Sequence, residues 1–375
     1  MDYFQYTLIA FLICEVIVAF ILYPLKSGKN YYKLMLGTET SMFKYDQELG
    51  YSLKPNVNYS NPTTPVKNAP RRILFRDMRT DKNGFGFNED NEDLDECKNK
   101  SKLIFCLGGS TTWGGAESRH DRTYPNILNS LMKDYGYRCV NAGVGGYQSI
   151  HELLCLRKKI LPYKPSAIIL YSGSNDFEIS AYDRLFKPHD PFVHCLAHSL
   201  PTNGVEEILQ KSALFHVVKK LIYLFKGKIV IDSVPLDQVK EMEKSLDNNI
   251  WLEGWKTNIG QLIDECKNNK IKCFLLSHAS PCFANASDKA KEFANNDLGM
   301  GSRFDCFTKY LEIIHKNTIS LCEEKGAHFI DVREEFNEVV PYQKRFGLFV
   351  DRMHFTEEGN ALLAKSIFKK IIKFL

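Results

Sequence analysis

Four side chains that together can open an ester fall in three separate stretches of this chain: Ser110, Asn175, and Asp351 with His354. A serine hydroxyl is a weak nucleophile until a base takes its proton, and His354 is the natural base. Asp351 precedes it by three residues in "FVDRMHFTEEG", where a carboxylate can bond the second imidazole nitrogen and steady the imidazolium. A tetrahedral intermediate also needs donors aimed at its oxyanion. The Ser110 N–H, the Gly146 N–H within "NAGVGGYQS" and the Asn175 amide within "SGSND" would supply three. Each piece alone has a plainer use. Ser110 suits a helix cap in an ordinary βα turn, Asn175-Asp176 suits a turn, and His354 suits a surface position before a Thr356 cap. The glycine loop matches neither GxGxxG nor GxxxxGK[ST], the usual phosphate cradles. It is the conjunction that points to acyl chemistry through a serine.

Such residues work only if a scaffold brings them together. Ser110 follows "LIFCLGG", an apolar run that stops at two glycines. That pattern is a buried strand ending in a tight turn. Further strand-like runs are 138–141, 167–171, 272–277 and 328–332. Helical patterns lie at 125–135, 150–160, 252–266 and 306–324, with a last amphipathic helix at 357–374. Strands alternating with helices predict an α/β domain in three layers, α/β/α, around a doubly wound, flavodoxin-like parallel sheet. In such sheets ligands meet the carboxyl ends of the strands, where every candidate residue falls.

Residues 6–25 are almost wholly apolar, broken by Glu15 and closed by Tyr23-Pro24. That length suits a hydrocarbon core of roughly 30 Å, so residues 1–30 are expected to form a single N-terminal transmembrane anchor. The segment lacks the basic start and small-residue cleavage site of a signal peptide. Lys26, Lys29 and Lys33 after it favour a cytoplasmic bulk by the positive-inside rule, without fixing the side. Residues 31–102 read as an irregular β-rich link ending in a charged connection over 89–102. The main domain is expected over 103–375, with an insertion at about 180–246 over the strand ends. Residues 283–302 are expected to form a mobile loop.

The 375 residues carry a formal net charge of +4, with no basic arm or zinc-finger spacing, so nucleic acid is not an expected partner. The 11 cysteines are scattered without CxxC spacing, which supports neither a zinc site nor a disulfide framework. His189, His194 and His198 cluster in the insertion but lack a carboxylate framework, so they read as a polar loop. No metal and no organic cofactor is expected. Trp113, Glu117 and Tyr147 flank the proposed centre and are candidates for substrate contact.

Taken in order, the blocks resemble the SGNH hydrolases, the GDSL-type esterases and lipases. Ser110 in "GGST" matches the nucleophile of the first block, with Gly109 where the family motif has Asp. Gly146 matches the second block's glycine, counted from Asn141. Gly173, Ser174, Asn175 and Asp176 match G-x-N-D, and Asp351 with His354 match D-x-x-H. The resemblance spans residue 103 to the C-terminus except for 180–246. The lead-in "YDQELGYSLKPN" and the apolar N-terminus are similar to those of bacterial membrane-anchored members. The resemblance implies hydrolysis of an acylated substrate, an O-acetylated glycan or an acyl lipid, through an acyl-serine. An O-acyltransferase with the same triad and a catalytically silent scaffold of the same fold are the alternatives.

Overall fold

The computed structural model describes residues 3–17, 42–62, 75–86, 94–114, 119–182, 186–191, 238–284, 286–297, 303–339 and 341–375. The chain divides into two units, residues 1–52 with 192–234 and residues 53–191 with 235–375. The described part of the smaller unit holds the helix Tyr3–Val16 and the strand β1 (Phe43–Asp46), which pairs with β2 (Gly50–Leu53). Asp46 makes the turn between them, its carboxylate accepting from the Glu48 and Leu49 N–H groups. No helix among the described residues is long and apolar enough to cross a membrane. The helix Tyr3–Val16 covers 14 residues of the expected anchor, and the remainder from residue 18 lies outside the described residues.

The larger unit is built on five parallel strands: β5 (Lys102–Gly108), β6 (Tyr137–Gly143), β7 (Ala167–Tyr171), β8 (Lys272–Leu276) and β9 (His328–Ile330). They lie in the order β6-β5-β7-β8-β9. The chain leaves β5 for β6 on one side, then returns to β7 on the other. That reversal opens a crevice at the carboxyl ends of β5 and β7. β5 and β7 are buried along nearly their whole length, as strands covered by helices on both faces must be. One face packs Ile104, Cys106, Ile169 and Phe274 against Leu128, Met132, Leu363 and Ile367 of the helices Tyr124–Met132 and Glu357–Ile371. Truncating a core aromatic such as Phe105, fully buried in β5, would cost about 3–5 kcal/mol.

Before the main sheet, β3 (Asn58–Pro62) and β4 (Phe75–Arg79) pair antiparallel. The residues just after them join the same unit. The Gly86 N–H donates to the Asn141 carbonyl at 2.7 Å, and Phe85 meets Phe105 edge-on at 5.3 Å between ring centres. Two expectations are corrected here. The charged connection contains the helix Leu94–Lys100, nucleated by burial of Leu94 and Cys97 one turn apart. The expected loop over 283–302 contains the helix Asp288–Asp297. Its Ala290, Phe293 and Ala294 fall at helical spacing, and Phe293 stacks on Phe346 at 5.4 Å. Within the insertion, the helix Gln238–Asn248 is described, while residues 192–237 lie outside the described residues.

Candidate active site

Ser110 is the first residue of a four-residue helix, Ser110–Trp113, that begins two residues after β5. Gly109 caps it, and Gly114 closes it in the left-handed conformation with φ 79°. A first-turn N–H has no partner within its own helix, so the Ser110 N–H is structurally suited to face a ligand. Gly109 is required by proximity. A Cβ there would stand 2.5 Å from Asn175 Nδ2 and 3.2 Å from the Tyr147 carbonyl oxygen.

His354 and Asp351 lie in the loop between the short helix Tyr342–Phe346 and the helix Glu357–Ile371. The loop is pinned at both ends. The Val350 N–H donates to the His354 carbonyl at 2.9 Å, and the Thr356 N–H to the Leu348 carbonyl at 3.0 Å. Thr356 then caps the helix, its hydroxyl accepting from the Gly359 N–H, with Glu357 and Glu358 in the first turn favouring the helix dipole. Inside the loop, Asp351 Oδ1 accepts from the backbone N–H groups of Met353 and His354 at 2.9 and 2.8 Å. Its Oδ2 meets His354 Nδ1 at 2.7 Å. His354 Nε2 stands 2.8 Å from Ser110 Oγ. With Nδ1–H donating to the carboxylate, Nε2 is the acceptor for the serine proton.

Charge follows from this geometry. Burial opposes protonation of His354, but the charge and hydrogen bond of Asp351 outweigh it and raise the imidazole above its ordinary value. Burial likewise works against the Asp351 carboxylate. The charge and hydrogen bond of His354, with Arg352 beside it, hold it well below the usual carboxylate range. Arg352 also donates from Nε to Glu178 at 2.5 Å, tying this loop to the helix Ser174–Tyr182.

That helix begins after β7 and carries Asn175, whose Nδ2 donates to the Tyr147 carbonyl at 2.7 Å. One amide hydrogen is thereby engaged, and the second is left for the cleft, which Asn175 lines together with Ser110. Tyr147 lines the cleft too, its ring stacked on His151 at 5.0 Å. His151 is fixed at both nitrogens, Nδ1 accepting from the Gln148 N–H at 3.2 Å and Nε2 lying 3.0 Å from the Pro191 carbonyl. Gly146 adopts φ 81° in the turn closed by the Tyr147 N–H on the Val144 carbonyl, and it is not among the residues lining the cleft. Trp113 does not line it either. It is 6% exposed, and its backbone carbonyl accepts from Asn141 Nδ2, so the chain uses it for packing rather than substrate contact. Glu117 lies outside the described residues. His189 bonds Asn258 Oδ1 through Nδ1 at 2.8 Å, while His194 and His198 lie outside the described residues. Among the described residues no group of His, Cys, Asp and Glu is arranged to hold a metal ion.

The cleft beside Ser110 is small, with a volume of about 10 Å³, room for roughly one water. It is also lined by Ser174 of the G-x-N-D block and by Glu152, Tyr171 and Met353, which the sequence did not single out as site residues. Glu152 and Asp176 are each 1% exposed. Burial first, and the neighbouring Asp176 charge second, raise Glu152 well above a free carboxyl, against a hydrogen bond from Ser172. Burial pushes Asp176 up to about 7, although the Ser149 N–H and hydroxyl bond it at 3.0 and 2.5 Å. Trp255 Nε1 donates to Ser172 Oγ at 3.2 Å, and Asn258 Nδ2 to Ser149 Oγ at 3.0 Å, so both supporting hydroxyls are themselves held.

A family model described as the GDSL-like lipase/acylhydrolase family matches residues 106–362. No curated protein matches the chain. Among solved structures it is similar to an acetyl xylan esterase, AlAXEase, at 16% identity, covering 72% of this chain and 100% of the other with a TM-score of 0.41. The acetyl xylan esterase Axe2 from Geobacillus stearothermophilus is similar at 16% identity, with 72% and 94% covered and a TM-score of 0.42. A GDSL-like lipase from Bacteroides thetaiotaomicron is similar at 16%, with 74% and 91% covered and a TM-score of 0.39.

Proposed function

The chain belongs to the GDSL-like lipase/acylhydrolase family and is by that membership a carboxylic ester hydrolase; on this premise we propose that it works through an acyl-serine formed on Ser110 and removes short acyl groups, acetyl above all. The observation that carries the reading is the relay from Asp351 through His354 to Ser110, at 2.7 and 2.8 Å. Ser110 Oγ attacks the acyl carbon while His354 Nε2 takes its proton. The oxyanion is held by the Ser110 N–H and the free hydrogen of the Asn175 amide, both of which line the cleft, whereas Gly146 does not. His354 returns the proton to the departing alkoxide, leaving an ester on Ser110. Water then attacks that ester with His354 again as base, releasing the carboxylic acid and restoring the hydroxyl. Asp351 stays ionised throughout and holds Nδ1–H. The scheme needs neither metal nor organic cofactor.

The narrowness of the cleft among the described residues, about 10 Å³ beside Ser110, supports the short-acyl preference. The alcohol side is a glycan or lipid hydroxyl. Attachment to a membrane through residues 6–25 belongs to the same proposal, supported by the apolar run there. The test is a series of p-nitrophenyl esters of rising chain length beside acetylated sugars, on wild type and Ser110→Ala. The expected result is fastest turnover of the acetate, a steep fall with chain length, and none in the variant. Turnover surviving Ser110→Ala, or rising with chain length, would overturn the proposal.

A further inference from the structure

A cavity of the larger unit lies apart from Ser110. It occupies about 380 Å³ beyond the carboxyl end of β8, within the range of small-molecule sites. Phe283, Leu311 and Phe336 supply much of its wall, so its body is apolar. Arg345 also lines it, on the short helix Tyr342–Phe346. This guanidinium is 8% exposed and has no carboxylate partner among the described residues. Its Nη2 donates to the Ser280 carbonyl at 2.9 Å, and the Phe283 ring covers it at 4.7 Å. Its Nε has no hydrogen-bond partner. His278, likewise buried on the cavity wall, presents an Nε2 that is also without one.

A buried charge without a counter-ion is costly, and buried polar atoms are nearly always satisfied. A buried cation on the wall of an apolar cavity is the anchor of a site. Burial lowers Arg345 to about 10 and His278 to about 3, so near neutral pH the first is charged and the second is a neutral imidazole. The remaining charges fix the ligand's valence. Arg333 is neutralised by Asp331 at 3.1 Å, and Glu312 is an exposed carboxylate on the lining. Arg345 is thus the one uncompensated cation among the described residues of the wall, and Glu312 disfavours a second negative charge.

We infer that this cavity is a second ligand site, one that takes a small organic carboxylate with its head toward the Arg345 guanidinium and its apolar body against Phe283, Leu311 and Phe336. A guanidinium without a carboxylate partner among the described residues matches the charge of a carboxylate. The site borders the reaction loop without sharing its serine. Ser280 gives its carbonyl to Arg345 and its hydroxyl to the Arg352 carbonyl at 2.8 Å, two residues before His354.

Titration calorimetry on the full chain tests this with three probes: benzoate, benzyl alcohol as the same body without charge, and inorganic phosphate as charge without body. Benzoate is expected to bind saturably, at least tenfold tighter than either of the others. Arg345→Gln is expected to weaken benzoate at least tenfold. Ala284→Trp, at an exposed position on the rim, is expected to do the same and serves if Arg345→Gln does not fold. The inference is overturned if benzoate does not bind, if benzyl alcohol or phosphate binds as tightly, or if binding is undiminished in either folded variant. No arm depends on ester hydrolysis, so the result stands apart from the fate of the proposed reaction.

Discussion

Gly109→Ala isolates the oxyanion donor without touching any reacting atom. The added Cβ would lie 2.5 Å from Asn175 Nδ2, whereas ordinary contact begins near 3.4 Å, so the amide must retreat by about 3.4 − 2.5 = 0.9 Å. The amide is the end of a flexible side chain and can move, and Gly109 already has an ordinary negative φ of −83°. The fold should therefore survive. What is lost is the 2.7 Å bond to the Tyr147 carbonyl that aims the amide. A displacement of that size costs on the order of 10²-fold in rate, and losing a whole oxyanion donor costs about 2.7–4 kcal/mol. By those figures p-nitrophenyl acetate should turn over about 10²- to 10³-fold more slowly, with its apparent affinity little changed. Asn175→Ala should lose a similar amount. The double variant should lose no more than either single one, because the amide that Cβ displaces is already gone. Full activity in Gly109→Ala, or losses that simply add in the double variant, would refute the role given to Asn175.

The other predictions concern pH and stability. Because hydrolysis needs neutral His354 and its pKa is raised above 6.5, kcat/KM should fall on the acid side through that raised value. Asp351→Asn should move the limb downward and slow turnover by about 10⁴-fold, the cost of removing this role from a serine triad. Glu152 keeps its proton in the fold above the ordinary 4.5, so the unfolded chain binds fewer protons and stability drops as pH rises beyond 4.5. The slope for this one group is at most about 1.4 kcal/mol per pH unit. Urea melts of Glu152→Gln should show a margin over wild type that widens with pH, and parallel curves would contradict it. Gly143→Ala would place a Cβ 2.6 Å from the Thr112 carbonyl carbon and 2.8 Å from Trp113 Cα, backbone that cannot step aside. It should destabilise by about 3 kcal/mol or more, read as a lowered denaturation midpoint.

The sheet was legible because buried parallel strands are apolar runs bounded by turn residues. Ala167–Tyr171 forms over the same five residues that the pattern marks. The convergence of Ser110, Asp351 and His354 was legible because their types have a joint chemistry, although only Ser110 directly follows a strand, while two short helices separate Asp351 and His354 from β9. The carboxyl pair was not. Glu152 in "SIHELLC" reads as the solvated side of a helix, and only the packing of that segment against the helix Ile250–Asn268 buries it. Arg345 escaped for the same reason, since an arginine in "YQKRF" carries no sign that Phe283 covers it. The helix Asp288–Asp297 was missed because its polar residues outnumber Ala290, Phe293 and Ala294, the three that dock. Trp113 shows the opposite error. Nearness in sequence to Ser110 made it a candidate for substrate contact, whereas the short helix leaves it 6% exposed in the packing.

The chemistry rests on a covalent ester at Ser110, and intact-protein mass spectrometry after reaction with a fluorophosphonate measures it most directly. The expected result is a single adduct mapped to Ser110, absent from Ser110→Ala and slowed at least a hundredfold in His354→Ala by loss of the general base. An adduct on another residue, or hydrolysis that persists after Ser110 is fully blocked, would contradict it.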